Sequence, residues 1–87
     1  MVEVKVQEVG SAIHPSEVVV AVKTVSGTEN LVIDRRSLRN GAIAIGFPIR
    51  QEEGSFLIEL PRESQSGSWR VWVKSDQLIF ENERMRA

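Results

Sequence analysis

The chain has no cysteine, no tyrosine and a single histidine, and its only other aromatic residues are two tryptophans and three phenylalanines in 87 positions. Without cysteine there is no disulfide, no thiolate nucleophile and no thiolate metal ligand. His14 stands alone before Pro15. A metal site would therefore fall to carboxylates, and Glu52-Glu53 reads as a solvated acidic turn rather than a calcium loop. Neither a metal nor a cofactor is expected. No nucleophile elbow, phosphate-cradling glycine loop or paired-acid motif occurs. Folding would have to gather Asp34, Glu59, Glu63 and Asp76, or His14 with Ser11 or Ser16, before catalysis was conceivable, and a chain of this size seldom builds a deep pocket. A non-enzyme is the expectation.

An excess of charge is missing too. Eleven basic and twelve acidic residues leave a net charge of -1, which excludes a surface that is basic throughout and traps nucleic acid or anionic lipid wholesale. No run of about 20 apolar residues is present, so no ordinary membrane-spanning helix is expected. Met1 to Val6 alternates apolar with charged residues and lacks the basic start and continuous apolar run of a secretion signal. Together these absences predict a cytoplasmic protein that does not engage membranes.

What the chain has in quantity is β-pattern. Val2, Val4 and Val6 alternate with Glu3, Lys5 and Gln7, and Glu17 to Val25 is a run of β-branched residues, apolar enough to predict a central strand. Ser26 to Asn30 supplies turn chemistry before Leu31-Val32-Ile33, which predicts a hairpin with a loop of three to five residues. Asp34 to Gly41 is the one helical turn of the first half, capped by Asp34 and ended by a left-handed Asn40-Gly41, and Ser75-Asp76-Gln77 reads as a turn or a single helical turn before Leu78-Ile79-Phe80. Ala42 to Arg50 alternates bulky with small residues, Gln51 to Gly54 is a turn, and Ser55 to Leu60 is its partner strand. The polar, serine-rich Pro61 to Ser68 segment predicts a long mobile loop. Glu81 to Ala87 reads as a charged, disordered tail.

Five to seven short strands without a long helical period predict one all-β domain over residues 1–80. A small antiparallel SH3-like barrel fits best, and an OB-like barrel or an open sheet that dimerises is the alternative. The stretch of greatest interest is Gly67 to Lys74, which holds both tryptophans. A two-residue period turns Trp69, Val71 and Val73 toward the core and Arg70, Trp72 and Lys74 away from it.

Arg70, Trp72 and Lys74 are the candidate binding residues, joined by Arg35, Arg36 and Arg39 if folding lays the helical turn alongside. Trp and Arg are over-represented at protein interface hot spots, so the first reading is a non-catalytic module that binds a protein partner or itself as a homodimer. The second uses the same residues for single-stranded nucleic acid, with Trp72 stacking bases and the cations neutralising phosphate. The competing structural role for Trp72 is to lie beneath the Pro61 to Ser68 loop.

Overall fold

In the computed structural model, which describes residues 2–80, the chain forms nine short strands. They are β1 (Val2–Lys5), β2 (Gln7–Ser11), β3 (Glu17–Thr24), β4 (Gly27–Asp34), β5 (Ala42–Ile45), β6 (Arg50–Glu52), β7 (Ser55–Glu59), β8 (Arg70–Lys74) and β9 (Leu78–Phe80). Single 3₁₀ turns, Arg35–Ser37 and Ser75–Gln77, precede β5 and β9. Residues 81–87, read above as a disordered tail, lie outside the described residues. Among the described residues no helix is long and apolar enough to cross a membrane.

The protein is all-β, but the strands number more than the five to seven expected and do not join into one closed sheet. They form three antiparallel sheets of three strands, ordered β5-β1-β9, β2-β3-β4 and β6-β7-β8. The predicted long strand over residues 42–50 is split into β5 and β6. Gly46-Phe47-Pro48 lies between them, where a proline without an amide cannot serve a ladder.

One core joins the three sheets. Val2 and Val4 of β1 meet Val18, Val20 and Val22 of β3, Leu31 and Ile33 of β4, Ile43 of β5, Ile58 of β7 and Val71 and Val73 of β8. The central place read from the sequence of β3 holds, since β3 lies between β2 and β4, with Val18, Val20 and Val22 buried and Val19 and Ala21 half-buried. The β3–β4 ladder runs without a break from Glu17 opposite Asp34 to Thr24 opposite Gly27. Only Val25 and Ser26 remain for the turn, so the hairpin is tighter than predicted. Gly27, at φ 147°, takes a conformation open to glycine and little else.

Two further hairpins turn on left-handed residue pairs. Asn40 and Gly41 have φ of 52° and 75°, and Glu53 and Gly54 have φ of 48° and 80°. Positive φ at both central positions is the type I′ turn, whose twist matches that of the strands it joins. Asn40-Gly41 thus makes a tight reversal with two hydrogen bonds between Arg39 and Ala42, at 2.9 and 3.0 Å, rather than the end of a helix.

The segment from Pro61 to Ser68 is not the free loop expected from its composition. Ser64 is buried at 5% exposure, and its hydroxyl donates to Glu29 Oε1 at 2.7 Å while accepting from the Ser68 amide at 2.9 Å. The Ser66 hydroxyl donates to the same Glu29 oxygen, and the Gln65 amide donates to the Asn30 carbonyl. Composition registers only polarity here. The deciding partner, Glu29, lies more than thirty positions away on β4.

Leu31 is fully buried at the centre of this packing, so Leu31→Ala is expected to cost about 2–5 kcal/mol in urea unfolding through the cavity it leaves. Glu29 carries a second expectation. Hydroxyl donation, first from Ser66 and then from Ser64, holds its carboxyl below the ordinary glutamate range. The folded state therefore binds its proton less readily than the unfolded state. The stability this supplies is complete above about pH 4.3, the unfolded value, and fades as pH falls through the lower folded value. In Glu29→Gln the loss of stability as pH falls below about 4.3 should be shallower than in the parent.

Candidate interaction surface

Strand β8 carries one face inward and one outward, and the ladder register names its neighbours. Arg70 stands opposite Glu59, Trp72 opposite Leu57 and Lys74 opposite Ser55, while on the other edge of β7, Arg50 stands opposite Leu57 and Glu52 opposite Ser55. Cross-strand partners share a face. Arg70, Trp72 and Lys74 thus lie on the outer face of the β6-β7-β8 sheet, in rows with Glu59, Leu57 and Arg50, and Ser55 and Glu52. Half-buried Leu57 and Trp72 form its apolar centre. Around them stand exposed Arg50, Glu52, Glu59, Arg70 and Lys74. Arg70 Nε lies 3.5 Å from Glu59 Oε2, and Arg50 lies 3.5 Å from Glu52.

Trp69 does not enter the core as its parity predicted. It is 53% exposed, although Val71 and Val73 are buried. The ladder of β8 begins at Arg70, so Trp69 hangs beyond the end of the sheet. It is held there by the Leu60 amide, which donates to its carbonyl at 2.7 Å. Leu60, at 2% exposure, already fills the core at that end. The tryptophan that does more for the fold is Trp72, whose carbonyl accepts from the Val25 amide at 2.8 Å and ties β8 to the β3–β4 turn. The hydrogen bonds of the 61–68 loop run to Glu17 of β3, to Glu29 and Asn30 of β4 and within the loop itself.

The three arginines of the 3₁₀ region do not join this face. Trp72 meets the hairpin at its turn, whereas Arg35, Arg36 and Arg39 follow its other end at Asp34. Across β4, at roughly 3.3 Å per residue, those ends are about 23 Å apart. Nor do the three stay together. Arg35 turns to Glu8, at 3.8 Å, and to the Pro15 carbonyl, at 3.2 Å. Arg36 and Arg39 line a cleft of about 430 Å³ with Arg62, Asp34, Ser37 and Glu3. Arg62 and the cleft are what sequence reading missed, because the position of Arg62 depends on the 61–68 loop being tied down.

Asp34 organises the rim of that cleft. Its side chain accepts from the Arg36 amide at 2.8 Å and from the Arg36 guanidinium through both oxygens, at 3.2 and 3.0 Å. It also stands opposite Glu17 in the ladder, a like-charge pairing that would repel. Each carboxylate has its own cation, Arg36 for Asp34 and Arg62, at 3.1 Å, for Glu17.

His14 and Ser16 do meet, with Ser16 Oγ 2.6 Å from His14 Nδ1 and the Ser16 amide also directed at Nδ1. A ring nitrogen that accepts from an amide carries no proton in the neutral ring, so Ser16 Oγ is the donor. The pair is exposed and sits in a tight loop. Among the described residues no three His, Asp or Glu side chains gather as metal ligands.

The Arg36 guanidinium first, and then the Arg36 amide, hold the Asp34 carboxyl down to about 2. An NMR titration should place the Asp34 midpoint near that value, and Arg36→Ala should move it up toward about 3.9, the ordinary aspartate value. An unmoved midpoint would mean that the amide alone holds the carboxylate.

No family model, no curated protein and no solved structure matches this chain.

Proposed function

We propose that the protein is a non-catalytic binding module that acts by protein–protein contact, with a second copy of itself as the partner, through the outer face of β6-β7-β8. The observation that carries this is the layout of that face: an apolar Leu57–Trp72 centre inside a rim that holds both signs of charge, Arg50, Arg70 and Lys74 against Glu52 and Glu59. Interface hot spots have this form, an aromatic anchor within a polar rim that excludes water. A rim of both signs is also able to pair with its own two-fold image, as a self-complementary interface requires. Phe47, 79% exposed, adds apolar surface in the segment that leads into β6.

We read the architecture as an SH3-like small barrel, and two features support it. A 3₁₀ turn, Ser75–Gln77, leads into the last described strand, and that strand, β9, returns to pair with β1. The nucleic-acid reading draws less support. Carboxylates of Glu52 and Glu59 interrupt the cations of the Trp72 face, and a phosphate chain would meet them at each step. Arg35, Arg36 and Arg39 lie at the other end of the hairpin.

Sedimentation from about 1 to 100 μM, the range of modest interfaces, should show the dimer populated at the upper end. Trp72→Ala should lower the association at least about tenfold, and Trp69→Ala should leave it within about twofold. A monomer throughout the range overturns self-association. Oligonucleotide binding that collapses with added salt and with Trp72→Ala would overturn the protein-binding reading in favour of nucleic acid.

A further inference from the structure

The geometry points to a ligand site at the other end of the hairpin: we propose that the Arg39 cleft binds a small monocarboxylate with a compact apolar body. Glu3 of β1, residues 33–44 and residues 61–62, which are distant in sequence, converge there. The capped 3₁₀ turn brings Arg36, the Asn40-Gly41 reversal brings Arg39, and the tied 61–68 loop brings Pro61 and Arg62. The 430 Å³ they enclose is within the range of small-molecule sites.

The chemistry of the lining narrows the ligand class. Exposed Ala44 and Pro61 give a small apolar surface for a hydrocarbon body, while Ile33 and Ile43 line the cleft from the core. Arg36 is committed to Asp34 and Arg62 to Glu17. Arg39 is different. It is exposed, and it makes no ion pair and no side-chain hydrogen bond among the described residues. Its backbone is fixed on both sides by the bonds to Ala42, so a ligand need order only the side chain. A guanidinium presents two parallel donors to a carboxylate. Glu3, at 8% exposure, also lines the cleft. Arg39 is the one lining cation not taken by a carboxylate among the described residues, and a single guanidinium matches a ligand with one carboxylate rather than two.

The test is a titration of the whole chain with hexanoate at low salt, on the order of 10 mM for a weak site, followed by NMR at the Ser37 and Ala44 amides and Arg39 Nε. Saturable shifts confined to those positions are expected, about tenfold weaker in Arg39→Ala, as loss of a charge-assisted pair implies, and unchanged in Arg35→Ala. Hexanol should fail for want of the charge and adipate for its excess. N-acetyl-leucine distinguishes the source, since tighter binding than hexanoate identifies a peptide's terminal residue and weaker binding a free acid. Absence of a saturable shift, equal binding of hexanol, or undiminished binding in a folded Arg39→Ala overturns the proposal. Arg39 side-chain hydrogen bonds are not part of the fold, so that variant is expected to fold.

Discussion

The β3–β4 hairpin is the constraint on which the rest of the structure depends. Its unbroken eight-residue ladder fixes the parity of Val18, Val20, Val22, Leu31 and Ile33 at one stroke, because a slip of one residue would turn all of them to the other face. Its turn anchors β8 through Val25 and Trp72, its free edge holds the serine loop through Glu29 and Asn30, and its far end launches the Asp34-capped turn. Each candidate surface is thus attached to one end of a rigid ribbon. The two ends serve different chemistry: an aromatic face with a mixed-charge rim at one, a cleft with convergent guanidinium groups at the other.

Charge in this protein acts locally, and its near-zero sum conceals that. Glu17 and Asp34 are forced opposite one another by the ladder, and the fold answers with an arginine for each. Arg62 and Arg36 are thereby drawn to the same end of the hairpin. The cleft is in this sense a by-product of neutralising a like-charge pair. Surface ion pairs of this kind contribute little to stability. Their consequence is positional.

The readable part of the chain was the part governed by a short period. Val2, Val4, Val71 and Val73 face inward as alternation requires, and the turn at Glu53-Gly54 falls where glycine marks it. Trp69 failed the same test because alternation applies only within a ladder, and the sequence does not mark where β8 begins. The 61–68 segment failed for another reason. Its order comes from one carboxylate more than thirty positions away, a pairing with no local signature. The same non-local contact placed Arg62, so the Arg70, Trp72 and Lys74 face was legible as a pattern while the cleft was not.

The place of β1 has a consequence for how the molecule assembles. It is the middle strand of its sheet, with β5 on one side and β9 on the other, so its valines find their backbone partners only after residues 42–45 and then 78–80 have been made. The hairpin of residues 17–34 closes on local contacts, but the sheet built on β1 must bring together segments more than seventy positions apart. Pairings of such separation raise contact order and slow folding. Until β9 arrives, β1 keeps an open, valine-rich edge, and the interval between hairpin formation and final closure is when this chain is most exposed to mispairing with its neighbours.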